Sequence, residues 1–210
     1  RREPAMSEYS RRAVHVSGAG MPLLYLLGLA TWNQLRYFMI GVTAVAFGLE
    51  FLRLVVGLNH WLYDELTRPY EADNVAGYAF YMLSVTLVAV IFGPSVALPA
   101  VLMLSIADPI SGALSDNGPH EHKRPAVVAV TFGLCLLLAA PFTVAASGSV
   151  AGIAAAAGGA LPAAVADGIK PIIRGVAVDD NLTIPLVAAV GIAGTWWLLG
   201  VETGFDPVVL

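Results

Sequence analysis

Apolar runs of near-bilayer length recur from one end of this chain to the other, with polar residues confined to the segments between them. About 20 consecutive apolar residues are what a helix needs to cross the hydrocarbon core of a membrane. A soluble domain carries roughly a quarter charged residues, whereas here 58% of the 210 residues are hydrophobic and 12% are charged. Lipid is therefore the solvent this sequence is written for, and the expected fold is all-α: a polytopic integral membrane helical bundle forming a single domain over residues 1–210.

The apolar stretches predict seven spans, at about 16–31, 34–57, 76–93, 95–113, 126–146, 149–166 and 182–201. The arginines ahead of the first run imitate a signal peptide, but so many runs follow that it is read as an uncleaved first span. The sixth is the weakest, because Gly148 to Ala164 is nearly all small residues. Small residues let helices approach closely in lipid, and a re-entrant segment there would change the topology.

Seven spans put 1–15, 58–75, 114–125 and 167–181 on one side. Ten of the 11 basic residues fall at or beside that side, leaving Arg36 alone opposite, and only Glu202 and Asp206 of the 15 acids lie on the far side. The positive-inside rule then predicts a cytoplasmic N-terminus and a cytoplasmic active face. A net charge of −4 with scattered basic residues argues against nucleic acid as a partner. The single cysteine, Cys135, lies inside an apolar run and reads as an inert packing residue.

Several polar groups at the predicted cytoplasmic side carry candidate chemistry. Arg11 and His15 share a helix face in Arg11-Arg12-Ala13-Val14-His15, where they either grip phosphate or anchor the span. Glu50 and Arg53 stand one turn apart near a span end, either locking helices together or presenting Arg53 to a nucleotide. Asp108 closes an otherwise apolar run, and an unpaired carboxylate there is costly. Magnesium is a fitting partner, since it takes one or two carboxylates plus substrate phosphates, while the alternative role of the Asp-Pro step is to end the helix.

His120-Glu121-His122 is a weak transition-metal signal and reads better as solvated loop charge. Lys123 and Arg124 follow at the mouth of the next span, within reach of a triphosphate at Asp108 or serving only as topogenic charge. With Lys170 in the last loop, the candidate phosphate-binding set is Arg11, Arg12, His15, Arg53, Lys123, Arg124 and Lys170. Asp179-Asp180-Asn181 opens the last span. Capping accounts for one of these polar residues but not for all three, which favours a metal or sugar site. The glycosylation pattern Asn181-Leu182-Thr183 is coincidental on a cytoplasmic side. No phosphate loop of the G-x-x-x-x-G-K-[ST] type and no protein-kinase set occurs, so arginines and a metal carboxylate must hold any nucleotide.

Taken together, Arg11-Arg12 with His15, Glu50-x-x-Arg53, Ala107-Asp108-Pro109 and Asp179-Asp180-Asn181-Leu182-Thr183-Ile184-Pro185 resemble the polyprenol kinase family, which includes dolichol, phytol and CTP-dependent diacylglycerol kinases. The resemblance runs over nearly the whole chain. It implies a kinase that transfers the terminal phosphate of CTP to the hydroxyl of a membrane lipid alcohol, with Mg2+ or another divalent cation. By the same resemblance Arg11 and Arg12 match the basic pair, Asp108 the metal carboxylate and Asp179 to Asn181 the late acidic motif, with Asp167 in place of the usual late glutamate. The implied catalytic group is Asp167, Asp179, Asp180 and Asn181. Two departures stand out: Ala107 replaces the usual glycine, and no Lys-Ser-x-Glu-Gly run occurs around Lys123-Arg124-Pro125.

Dolichol or another polyprenol is the favoured acceptor, with phytol, geranylgeraniol and diacylglycerol as the others. A cytidylyltransferase making a CDP-lipid would use the same groups and release pyrophosphate instead of CDP. A small transporter or non-catalytic scaffold is the reading from another class. It is disfavoured by the lack of an internal repeat and of ionisable groups near the midplane.

Overall fold

A computed structural model describes residues 15–58, 60, 63, 66, 67, 71–115, 121–169, 172, 173, 176–202 and 204–208. The helices in chain order are α1 (Gly20–Leu26), α2 (Trp32–Leu54), α3 (Gly77–Ile91), α4 (Pro94–Leu102), α5 (Asp108–Leu114), α6 (Pro125–Ser147), α7 (Ser149–Gly168) and α8 (Asp180–Leu198). A π-helical turn, Met103–Ala107, joins α4 to α5 into one rod, and the short antiparallel strands β1 (Ile172–Ile173) and β2 (Val176–Ala177) lie before α8.

Among the described residues five helices are long and apolar enough to cross a membrane: Trp32–Leu54, Pro94–Leu114, Pro125–Ser147, Ser149–Gly168 and Asp180–Leu198. This is the pattern of a helical integral membrane protein. The predicted sixth span is one of these, a 20-residue helix. Two others are shorter than expected. The first is the seven-residue α1, because Gly28 takes a left-handed φ of 67° and Thr31 then caps a new helix. The third is the 15-residue α3.

Helix ends follow local chemistry. Thr31 and Gln34 make a reciprocal capping box at the start of α2. Pro94 and Pro125 occupy first-turn positions, where a missing N–H costs nothing. Gly148, at φ 79°, both ends α6 and precedes α7, so one residue reverses the chain.

The rod from Pro94 to Leu114 is central: Val96, Ala97, Ala100, Val101 and Met103 are fully buried. Around it α7 and α8 pack nearly backbone to backbone. A Cβ on Gly159 would stand 2.9 Å from the Ala188 carbonyl, and one on Gly191 would collide with the Gly158 carbonyl. The small-residue stretch that looked weak as a membrane span is what permits this approach.

With α4 and α5 counted as one rod, successive helices run in alternating directions. The ends of α2, α5 and α7 and the starts of α3, α6 and α8 therefore share one end of the bundle, where Arg53, Asp108, Lys123, Asp167 and Asp179 lie. Arg36 sits at the opposite end, buried and tied to the C-terminal segment.

Candidate functional site

Asp108 is placed by a defect in its own helix. Pro109 has no N–H and its ring would press on the carbonyl four residues back. The preceding turn widens to π geometry, and the Asp108 amide bonds to the Met103 carbonyl, five residues back. The carboxylate then meets His15, Nδ1 to Oδ2 at 3.3 Å, with both side chains mostly buried. It also neighbours the Asp167 carboxyl closely enough for the two to interact.

Asp167, at the end of α7, is 1% exposed and takes a hydrogen bond from Lys123 Nζ at 2.6 Å. Its other oxygen accepts from the Ser111 hydroxyl at 2.5 Å, and Lys123 also donates to Ser111 Oγ at 3.0 Å. The Lys123 amide donates to the Gly168 carbonyl at 3.0 Å, which fixes the start of α6 against the end of α7. Buried charges need a partner and satisfied lone pairs. Lys123, Asp167 and Ser111 provide that for one another, while His15 faces Asp108.

Behind His15, the Tyr81 hydroxyl shares a 2.7 Å hydrogen bond with Ser105 Oγ and donates to the His15 carbonyl at 3.4 Å. The Tyr81 and His15 rings meet edge to face with centroids 5.2 Å apart. Gly18 lies against the Tyr81 hydroxyl, which a Cβ at that position would displace.

A second polar group surrounds the start of α3. Arg53 directs all five of its N–H groups into the protein: Nε and Nη2 to the Glu50 carboxylate, the others to the carbonyls of Glu71, Ala72 and Asn74. Glu50 also accepts from the Ala76 amide at 2.9 Å and the Tyr78 hydroxyl at 2.7 Å. Of the two roles open for this pair, the structure takes the locking one. All five Arg53 donors are thus engaged within the protein. Asp179 caps α8 through its Oδ1 and the Asn181 amide, 2.9 Å apart, and Asp180 Oδ1 accepts from the same amide at 3.1 Å. The Asn181 side chain is buried against Gly77.

Of the residues singled out from the sequence, His15, Asp108, Lys123 and Asp167 converge in one cluster. Asp179 and Asn181 belong to the second group, and Arg124 is exposed at the start of α6. Arg11, Arg12, His120 and Lys170 lie outside the described residues. Sequence reasoning passed over Ser105, Ser111 and Tyr81. The first two stand three residues before and after Asp108, the spacing of one helix face, and that is the signal by which they were findable.

Among the described residues no three His, Cys, Asp or Glu side chains are grouped to hold a metal ion. The two adjacent carboxylates Asp108 and Asp167 nonetheless match the partial donor set that magnesium takes when phosphate oxygens complete its shell. Comparison with protein-family models, with curated proteins and with solved structures finds no match for this chain.

Proposed function

We propose that this protein is a membrane phosphotransferase, a CTP-dependent lipid-alcohol kinase with its reaction centre at His15, Asp108, Ser111, Lys123 and Asp167. The observation that carries the reading is the pairing of two largely buried carboxylates, Asp108 with His15 and Asp167 with Lys123 and Ser111, at one polar end of an apolar bundle. Phosphoryl transfer asks little covalent participation of a protein. It needs in-line positioning and charge neutralisation, which clustered carboxylates and cations supply. The motif resemblance to polyprenol kinases points the same way.

In this reading the chain crosses the membrane seven times, with the cluster at the cytoplasmic side. The alternating helix directions and the gathering of Arg53, Lys123 and Arg124 at that end support it. Magnesium bound by Asp108 would neutralise charge on the transferred phosphoryl group. Lys123 uses two of its three ammonium hydrogens on Asp167 and Ser111, and the third is directed to a phosphate oxygen. Asp167 accepts the proton of the lipid hydroxyl as that oxygen forms a bond to the terminal phosphorus. The bond from phosphorus to the bridging oxygen breaks, and CDP leaves. Dolichol or another polyprenol is the preferred acceptor.

The test uses purified protein in lipid micelles with magnesium and γ-labelled CTP or ATP, polyprenol and diacylglycerol acceptors, and an Asp108→Asn control. Label entering lipid with CTP, and lost in the control, is the expected result. Pyrophosphate release instead would replace the kinase with a cytidylyltransferase. Neither product from folded protein would sink both enzyme readings.

A further inference from the structure

Helix α1 runs antiparallel to the central rod, with Met21 and Pro22 buried. Where α1 begins, the two elements meet at the polar cluster: Gly18 lies against the Tyr81 hydroxyl, and that hydroxyl bonds to Ser105. Where α1 ends, they part around a groove of about 580 Å3. It is lined by Tyr25 of α1, by Ser95 and Leu98 at the start of the rod, and by Phe142, Ala145 and Ala146 at the end of α6. Leu98 and Ser105 are seven residues apart, the spacing of one helix face over two turns. On α6, Leu134, Leu138 and Phe142 form a half-buried apolar stripe at one-turn spacing. Groove and cluster are therefore the two ends of one side of the rod. Ser95 precedes Asp108 by 13 residues, about 20 Å at the helical rise.

The lining selects the kind of occupant. Only Tyr25 and Ser95 among the lining side chains carry a polar atom, and water does not fill a cavity that gives it so few partners. The volume falls in the range of small-molecule sites, roughly 300–1,000 Å3. A partner's helix, about 10–12 Å across, would fill it within about one turn, whereas a single flexible hydrocarbon chain fits along it. Two of the walls, the rod and α6, are long and apolar enough to cross a membrane, so such a chain enters from the bilayer.

We propose that this groove holds the far end of the hydrocarbon chain of the lipid alcohol whose hydroxyl lies at the Asp108 cluster. The inference rests on the lipid-alcohol kinase reading and narrows its substrate class: the chain must extend about 20 Å from the hydroxyl, as in geranylgeraniol and longer polyprenols but not in geraniol. Tyr25, Phe142 and Ala145 then determine specificity at a distance from the reacting atoms.

The probe is geranylgeraniol carrying a diazirine at its chain terminus, photolysed with the full chain in phosphatidylcholine nanodiscs without nucleotide and mapped by peptide mass spectrometry. Adducts are expected at Tyr25 and between Phe142 and Ala146. Excess unlabelled geranylgeraniol is expected to reduce them at least tenfold, and excess geraniol to leave them unchanged. Ala145→Phe, which fills the groove with a ring, is expected to lose the labelling at least tenfold. Should it fail to fold, Ala146→Leu decides with a loss in the same direction. Labelling at the groove in a protein that transfers no phosphate would sink the kinase and keep the chain site. Folded wild type with no adduct at the groove, adducts spread evenly over lipid-facing residues such as Val130 and Val190, equal competition by geraniol, or unchanged labelling of folded Ala145→Phe would each overturn the proposal, whether or not phosphate is transferred.

Discussion

Lys123 and Asp167, 44 residues apart in sequence, meet through a 2.6 Å hydrogen-bonded ion pair whose side chains are 9% and 1% exposed. A pair this buried does not behave like a surface salt bridge. Its formation is roughly neutral against desolvation, but removal of one partner strands the other charge, at about 3–5 kcal/mol.

Asp167→Asn and Lys123→Met are each expected to cost about that amount, while the double variant costs clearly less than the two together. Ser111 still offers a hydrogen bond to the asparagine, so the loss belongs to charge rather than to packing. Unfolding of the four proteins in mixed micelles measures the coupling. Strictly additive losses would mean that the two side chains do not interact.

The Arg53 clamp holds the turn before α3 by its carbonyls alone, so the sequence of that turn matters less than the guanidinium. Lysine has the charge but not the planar fork. Arg53→Lys is therefore expected to keep the bond to Glu50, lose most of the bonds to Glu71, Ala72 and Asn74, and expose the turn to protease. Arg53→Gln should do so more severely and lower stability by about 3 kcal/mol or more. Equal cleavage rates in wild type and Arg53→Lys would contradict the clamp.

Packing of α7 on α8 rests on glycine. A methyl group added at Gly191 meets the Gly158 backbone, which cannot rotate away as a side chain would. Gly191→Ala is expected to destabilise by about 1–3 kcal/mol, the usual range for overpacking. Gly194→Ala, with open space at its Cβ position, should be nearly silent. Melting temperatures of the two variants make the comparison, and equal shifts would show that the helices are further apart.

What the sequence reveals and what it hides separate along physical lines. Apolar length is a local property, and it located α2, the Pro94–Leu114 rod, α6, α7 and α8. It overestimated the first run because a left-handed Gly28 interrupts a stretch that hydropathy reads as continuous. The cost of a lone carboxylate in an apolar run pointed to Asp108, and the same logic held Glu50 to Arg53. That Asp167 would meet Ser111 and Lys123 and that Asn181 would meet Gly77 depends on which helix lies beside which, and no local pattern carries this. Ser111 and Tyr81 are ordinary residues in any one helix and become polar partners only when α5 meets α7 and α3 meets His15.

Arg36 supplies the sharpest case, since topology from charge left it as the lone basic residue on its side. It is 3% exposed and donates to the Ala89 and Phe92 carbonyls, where α3 ends. It also donates to the backbone carbonyl and, at 3.0 Å, the side chain of Asp206. The C-terminal segment thereby returns along α3, with the Asp206 and Val208 amides on the Ile91 and Val90 carbonyls and Phe205 against Phe92. A cation among the last carbonyls at a helix C-terminus is favourable. The Asp206 carboxylate is 59% exposed and adds little by itself. Arg36→Leu is thus expected to free the segment, raising hydrogen exchange at the Asp206 and Val208 amides at least tenfold, whereas Asp206→Asn changes it less than threefold. Equal effects of the two substitutions would place the hold in the ion pair rather than in the carbonyls.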